Sequence, residues 1–315
     1  MMAPERESDH NPGGRPWTGV SKGSARGNRI FLWLIAHCGR GAACALLLFV
    51  SFWYALTDRD SIAALCQFRG RLGLRTGFID LWRHFFHFGA SLIDTLAYLL
   101  GKAEFAFTGY DGRTPDQIVP ADRGSIIISA HFGNWEVAGN GLSRARGLPV
   151  NVIMLDNERQ RIKALFGKAF TRRRIRIIPM TGNALELIMA IKAALDRKEI
   201  VCMHGDRCAG QRCEAMDFFG RQAFFPRGPF ELSAITGVPL LPVFAIKQGL
   251  RTYRLIIAEP IPGSGADREA MILSSMRKYV SILQDIVRAH PFEWFNFYDF
   301  WADKAEAPLA VAQGR

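Results

Sequence analysis

A histidine and a glutamate lie five positions apart in a chemically suggestive string, His-Phe-Gly-Asn-Trp-Glu, which runs from His131 to Glu136. A carboxylate that holds one ring nitrogen of an imidazole fixes the tautomer and raises the basicity of the other nitrogen. The pair therefore predicts a general base that acts on a substrate without a nucleophile from the protein. Alternatively, the two residues are a capping histidine and a solvated glutamate at the start of a helix.

The elements around this string would hold the histidine at the edge of a sheet. Residues 126–128 are three isoleucines, and they predict a short buried strand over 125–130, too apolar to alternate, as in a parallel sheet covered on both faces. Gly133 allows close backbone approach, and Asn134 predicts the N-cap of a helix that starts at Trp135. His131 then lies at the carboxyl end of a strand, where open α/β sheets bind ligands.

A second apolar run ends in polar residues of the same kind. Residues 200–204 predict a strand, and Gly205, Asp206 and Arg207 follow it. If this strand is a sheet neighbour of the first, Asp206 and Arg207 emerge near His131, where an arginine binds phosphate or carboxylate groups. The alternative is a surface Asp–Arg pair after a glycine turn.

The rest of the chain alternates strand and helix patterns, which predicts an α/β fold with a mostly parallel central sheet and helices on both faces. Strands are predicted over 125–130, 150–155, 175–179, 200–204, 240–246 and 253–258. Helices are predicted over 135–143, 158–172, 184–197, 228–236 and 268–289. The domain prediction is a disordered polar, basic tail over 1–29, a membrane-associating helical arm over 30–104, an α/β domain over 105–303 and a tail over 304–315.

Residues 30–56 form the most hydrophobic stretch, long enough to cross a bilayer but interrupted by Gly39-Arg40-Gly41. It predicts either one tilted transmembrane helix with a strained middle or two shorter helices in the membrane interface. A buried pair of core helices is the third alternative. We favour an anchor that enters or lies on the membrane without crossing it. The cations before this stretch would hold its amino end on the cytoplasmic side.

The composition of the chain narrows the classes of molecule that the protein could bind. The 315 residues carry a net charge of +11, which predicts an acidic partner such as an anionic lipid or an acidic carrier protein. Nucleic acid is disfavoured because no zinc-finger spacing, RNA-binding aromatic signature or helix-turn-helix pattern is evident. The six scattered cysteines predict reduced thiols of a cytosol-facing protein. Cys208, Cys213 and His204 lack a fourth ligand, so no metal site is predicted.

Two further segments carry arginines that could meet acidic substrates. Arg159 begins a basic amphipathic helix pattern over 157–176, which suits an anionic membrane surface or an acyl carrier protein, although charge runs are usually solvated faces. Arg221 and Arg227 lie in an aromatic-rich stretch over 216–228, whose apolar residues suit a hydrocarbon chain or an aromatic-capped loop in the core.

Taken together, these strings resemble the lysophospholipid acyltransferase superfamily, whose motif is H-x4-(D/E). The form AHFGNWE, at 130–136, is similar to the branch of the lipid A late (lauroyl/myristoyl) acyltransferases. The string HPFEWFNFYDFW at 290–301 looks most like the acyltransferases of aryl polyene clusters. The aromatic residues of this string alone are typical either of a segment that packs over the core or of one that lines a channel for an acyl chain.

The resemblance implies a membrane-associated O-acyltransferase at the cytoplasmic face of the bacterial inner membrane. It would move an acyl group from an acyl carrier protein or acyl-CoA thioester to a hydroxyl of a membrane glycolipid or lysolipid, with no cofactor. His131 and Glu136 would be catalytic. Substrate binding would fall to Asn134, Arg159, Asp206, Arg207, Arg221 and Arg227. Alternatives are a lysophospholipid acyltransferase acting on glycerophospholipid and a non-catalytic membrane or carrier adaptor. An esterase or thioesterase is disfavoured because no G-x-S-x-G nucleophile motif is present.

Overall fold

The computed structural model describes residues 25–109, 115–119, 122–155, 175–180, 183–208 and 212–301. Four helices lead into a mixed α/β domain. They are α1 (Ala25–His37), α2 (Gly39–Thr57), α3 (Arg59–Arg71) and α4 (Phe78–Leu99). Helix α1 begins inside the segment predicted as a disordered tail. Residues 1–24 of the first predicted tail and the whole of the second, 304–315, lie outside the described residues, as do residues 302 and 303 of the predicted α/β domain.

The most hydrophobic stretch folds as two helices rather than one. The chain turns at Cys38, and Gly39 takes a φ of +81°, a left-handed conformation that glycine adopts without strain. Among the described residues, one helix, α2, is long and apolar enough to cross a membrane, and 22% of its apolar window is buried inside the protein. Residues 30–56 therefore lie in two helices rather than one, as both the interfacial and the core-helix alternatives require, and their attachment to a membrane stays a prediction.

The central sheet has seven strands in the order β1-β9-β8-β2-β5-β3-β4, and every neighbouring pair is parallel except β8 with β9. The strands are β1 (Ala106–Thr108), β2 (Ser125–Ser129), β3 (Val150–Leu155), β4 (Ile175–Met180), β5 (Ile200–His204), β8 (Leu240–Lys247) and β9 (Thr252–Ile257). The six strands predicted from the apolar runs are confirmed, with ends that differ by at most one residue.

Side chains of the central strands alternate between two apolar cores, one on each face of the sheet. Ile126 and Ile128 of β2 enter the first core, whereas Ile127 enters the second. Five further helices accompany the sheet in the described part of the chain. They are α5 (Pro115–Ile118), α6 (Trp135–Arg146), α7 (Ala184–Asp196), α8 (Gly228–Thr236) and α9 (Arg268–Ala289). Because both faces of the sheet are covered, neither face of β2 is exposed to solvent. The uniform apolar composition of this strand predicted that arrangement.

The aromatic-rich stretch after β5 is a hairpin, which the sequence analysis missed. Strands β6 (Cys213–Phe218) and β7 (Arg221–Pro226) pair antiparallel across a two-residue turn. Phe219 and Gly220 in that turn have φ values of +54° and +74°, the combination typical of a tight hairpin with matched strand twist. The apolar and polar residues of the two strands do not alternate regularly, so the sequence pattern of this stretch resembled that of a loop.

Candidate active site

His131 and Asp206 meet because their strands are neighbours. Strands β2 and β5 are parallel, with Ser129 opposite His204, so each functional residue lies two positions beyond a paired strand end. The backbone N–H of His131 donates to Oδ2 of Asp206 at 2.9 Å, and His131 Nδ1 lies 2.9 Å from Oδ1 of the same carboxylate. The Asp206 side chain is 1% exposed, whereas that of His131 is 26% exposed. The buried carboxylate of Asp206 therefore orients the more accessible imidazole of His131 through its Nδ1 atom.

The charges around this pair keep the carboxylate ionised and the imidazole neutral. Burial would raise the pKa of Asp206, but His131 and Arg207 hold that pKa well below its usual range. Burial lowers the pKa of His131 and the Arg207 charge lowers it further, which outweighs the opposing effect of Asp206. At neutral pH, Nδ1–H of His131 donates to Asp206 and the lone pair lies on Nε2. This is the arrangement of a general base.

The carboxylate on His131 Nδ1 is Asp206, whereas the sequence analysis assigned that task to Glu136. Glu136 is half-buried in the first turn of α6 and lines an apolar pocket. Asp206 was predicted to bind substrate and to organise the site. Its two hydrogen bonds to His131 show an orienting contact, and its contact with substrate stays a prediction. A catalytic role for Glu136 stays a prediction.

The turn that carries His131 is tied to the C-terminal aromatic segment. Gly133 N donates to Glu293 O at 2.7 Å, and Phe295 N donates to His131 O at 2.8 Å. Gly133 has a φ of +59°, and a Cβ there would lie 1.7 Å from the carbonyl oxygen of Ala245, so only glycine fits. Trp294 is fully buried, as expected if the C-terminal string packs over the core. The segment also holds the His131 turn, a role that the sequence analysis did not predict.

Asn134 caps α6, as predicted, and both polar atoms of its side chain form hydrogen bonds within the protein. Its Oδ1 accepts from Val137 N at 3.0 Å and from Thr95 Oγ1 at 3.1 Å, and its Nδ2 donates to Ser91 O at 2.9 Å. The residue is 2% exposed. Through these contacts Asn134 joins the His131 turn to α4, and its predicted contact with substrate stays a prediction.

Two histidines of α4 support the same C-terminal segment. His84 Nε2 lies 2.9 Å from Trp294 O, and His87 Nδ1 lies 2.9 Å from Glu293 Oε1. Burial lowers the pKa of His84 to about 3, so this imidazole stays neutral. Both residues therefore pack and position the segment that holds the His131 turn.

Arg207 and His204 complete the surroundings of the imidazole. Arg207 Nη2 donates to Phe295 O at 2.6 Å, and its guanidinium lies 5.6 Å from the Tyr298 ring centre. The His204 ring packs 4.2 Å from that of His131 and 4.4 Å from that of Trp135, measured between ring centroids. Arg207 was predicted from the strand-end pattern. His204 as a stacking neighbour was not, because only the pairing of β2 with β5 brings the rings together.

The other predicted arginines are not part of this cluster. Arg227 is 4% exposed and forms ion pairs with three glutamates, which gives it a structural role, and its predicted contact with substrate stays a prediction. These partners are Glu214, Glu231 and Glu269. Arg221 is exposed at the start of β7, next to the hairpin turn. Arg159 lies outside the described residues.

Two of the six cysteines are bonded, which corrects the prediction of six reduced thiols. Cys208 and Cys213 form a disulfide, with a Cα–Cα distance of 6.2 Å. Cys208 lies four residues after the end of β5 and Cys213 begins β6, and their Cα separation is within the range for a disulfide. Cys38, Cys44, Cys66 and Cys202 are free thiols.

An apolar pocket lies beside the imidazole cluster. It is lined by Trp135 and Glu136 from the start of α6, with further residues from α4 and strands β3, β4 and β5, and its empty space is about 410 Å³ including the part open to solvent. Trp135 also contacts His204, so the pocket and His131 are separated by two rings. The lining is apolar, so it would contact hydrocarbon rather than polar groups.

The sequence profile of the family described as bacterial lipid A biosynthesis acyltransferase matches residues 116–302. The chain belongs to this family. The chain is also similar to named proteins: the phosphatidylinositol mannoside acyltransferase of Mycobacterium tuberculosis is 25% identical over 204 residues, 64% of this chain and 62% of that protein. The protein of the same name from Mycolicibacterium smegmatis is 27% identical over 132 residues, 41% of this chain and 42% of that protein. The aligned part thus spans less than two thirds of either relative.

Proposed function

We propose that this chain is a membrane-associated O-acyltransferase that moves an acyl group from a thioester to a hydroxyl of a membrane glycolipid. The family membership and the relatives named for a mannosylated lipid support a glycolipid acceptor. The observation that carries the proposal is the buried Asp206 on Nδ1 of an accessible His131, because an acyl transfer between two substrates needs a general base and no nucleophile from the protein.

The reaction follows from this geometry. Nε2 of His131 takes the proton of the acceptor hydroxyl while that oxygen attacks the thioester carbonyl carbon. The tetrahedral intermediate then collapses, the carbon–sulfur bond breaks, and the imidazolium returns its proton to the leaving thiolate. Asp206 stabilises the imidazolium that forms between the two steps. Arg207 adds a positive charge beside the developing oxyanion.

The apolar pocket supports the placement of the acyl chain. Trp135 forms part of its lining and contacts His204, whose ring packs against that of His131, so the proposed place of the acyl chain is next to the imidazole cluster. The net charge of +11 favours an acidic acyl carrier protein as donor, and the phosphates of acyl-CoA would suit the same charge. Arg221 and Arg159 remain proposed contacts for these acidic groups.

The proposed acceptor is a lipid of the membrane, and the proposed location is the inner membrane. The C-terminal aromatic string resembles acyltransferases of aryl polyene clusters, and the relatives are named for a phosphatidylinositol mannoside. Both support a lipid acceptor in the membrane, and we place the reaction at the cytoplasmic face of the inner membrane, where thioester donors are made.

His131→Ala tests the proposal. Purified full-length enzyme is given an acyl-carrier-protein or acyl-CoA donor and a membrane lipid extract, and thiol release and the acylated lipid are measured together. We expect His131→Ala to lower turnover by ~10²–10⁴. The control His37→Ala replaces an exposed histidine at the end of α1 and should keep wild-type turnover. Most activity remaining in His131→Ala would refute the mechanism.

The same variants separate an enzyme from an adaptor in cells. Lipid mass spectrometry compares cells with the wild type, a deletion and His131→Ala. An acceptor that gains one acyl unit only with the wild type would identify the product. Unchanged lipids in all three, with carrier or lipid binding that survives His131→Ala, would favour the non-catalytic adaptor.

A further inference from the structure

The helical arm exposes a continuous set of large apolar side chains. Trp33 of α1 is 56% exposed, and Phe49 and Trp53 of α2 are 74% and 64% exposed. We call this surface the arm face. Its members are Ile30, Trp33, Leu48, Phe49, Phe52, Trp53, Leu56, Leu74, Phe78 and Ile79. Exposed aromatic residues at this density mark a surface that is covered by another phase or molecule.

Helix α2 packs against α4 with one face along its whole length. Its buried residues, Ala43, Leu47, Ser51 and Ala55, recur every four positions and form one stripe. The two backbones approach closely at Gly89 of α4, where a Cβ would lie 2.3 Å from a methyl carbon of Leu47. The arm face lies on the opposite side of α2. The helix is therefore half covered by protein from end to end.

Charges fix the amino end of α2 to the α/β domain. Arg40 forms an ion pair with Asp94 of α4, which is fully buried. Lys247 at the end of β8 pairs with the same carboxylate, and Tyr253 of β9 donates to it at 2.5 Å. A carboxylate with three donors around it is satisfied only while these elements stay together. The arginine that interrupts the apolar stretch is thus used inside the protein.

Helix α4 in turn is bonded to the catalytic turn. Ser91 Oγ donates to Gly133 O at 3.0 Å, and Asn134 Nδ2 donates to Ser91 O. A bilayer crossing by α2 alone would separate it from α4 and expose the Asp94 cluster to hydrocarbon. Carrying α4 along would draw the His131 turn into the membrane. The packing therefore argues against a transmembrane α2, which length and composition alone allow.

We infer that the arm face docks in the plane of an anionic lipid leaflet, with α2 lying along the surface and not crossing it. Four exposed arginines of the arm, Arg26, Arg29, Arg59 and Arg75, supply the charge that anionic headgroups attract. This inference deepens the proposed membrane association and rests on it. Its tests read binding and topology rather than turnover, so its failure is distinguishable from failure of the acyl-transfer mechanism.

The docking surface is tested by paired charge substitutions. The variant Phe49→Glu/Trp53→Glu places two carboxylates on the arm face, and the matched control Leu185→Glu/Met189→Glu does so on α7, where the side chains are 65% and 63% exposed at the same spacing. Full-length proteins are sedimented with vesicles of phosphatidylethanolamine and phosphatidylglycerol. We expect the arm variant to lose about tenfold or more in partitioning, and the control to stay close to wild type.

Unchanged partitioning of the arm variant, or an equal loss in the control, would overturn the inference. An arm variant that turns a dimer into a monomer while partitioning normally would assign the face to a second copy and also overturn it. Unfolding midpoints of both variants, compared with the wild type, show that each retains its fold.

Topology is tested in the wild-type chain with its own thiols. Cys38 and Cys66 are both exposed, and they flank α2 on either side. Sealed membrane vesicles are treated with a membrane-impermeant maleimide before and after detergent, and labelling at each cysteine is measured by mass spectrometry. In-plane docking predicts that both cysteines are labelled from the same side. Labelling of one before detergent and the other only after it would show that α2 crosses, and would overturn the inference.

Discussion

Replacing Asp206 with asparagine discriminates between the two carboxylates that could serve His131. In the wild type, one oxygen of Asp206 accepts from His131 N–H and the other from Nδ1–H, each at 2.9 Å. An asparagine of the same shape has one oxygen and one NH₂ group. If the oxygen keeps the backbone N–H, the NH₂ faces Nδ1, which must then accept. The proton moves to Nε2, and the base is lost.

The expected loss of kcat is that of an enzyme without its general base, because asparagine keeps the shape of the side chain at position 206. We expect Asp206→Asn to lower kcat by ~10²–10⁴, or about 2.7–5.4 kcal/mol of transition-state stabilisation. Glu136→Gln should cost less than about tenfold, because Asp206 still holds the imidazole. Removing the carboxylate also takes away an interaction that raises the pKa of His131, so the residual activity of Asp206→Asn should extend to lower pH.

The assay is thiol release from the thioester donor in the presence of lipid, with kcat and KM measured over pH. Equal unfolding midpoints of wild type and both variants are the control for an intact fold. A large loss in Glu136→Gln with a small loss in Asp206→Asn would refute the reasoning. It would show that the carboxylate predicted from the H-x4-E motif acts on His131 in the working enzyme.

Two other variants test the electrostatics and the scaffold. The wild-type acid limb of kcat/KM should lie below pH 6.5, and Arg207→Gln should move it to higher pH, since Arg207 lowers the pKa of His131; an unmoved limb contradicts this. Arg227→Met should lower the free energy of unfolding by about 2 kcal/mol in denaturant titration, less than a fully buried pair costs because its three glutamate partners are partly exposed. No loss would mean that the three ion pairs contribute nothing net.

Local patterns determined much of this protein. The isoleucine run before His131 predicted β2, and the apolar runs of β3, β5 and β8 predicted strands of nearly the observed length. Asn134 predicted the start of α6 in the same way, because a cap is formed within one helical turn. These features depend on residues close together in the chain. The sequence alone therefore placed His131 at a strand end.

Partnerships between distant segments were decided only by the tertiary structure. Glu136 is near His131 in the chain, yet Asp206, 75 positions away, reaches the imidazole. That pairing depends on β2 lying beside β5 in the sheet order, and strand order is set by how all the helices and strands pack together. The same holds for Arg40, whose charge suggested a strained membrane helix until Asp94 supplied its partner. A sequence shows which groups can react or pair, but the packing of the whole chain decides which ones meet.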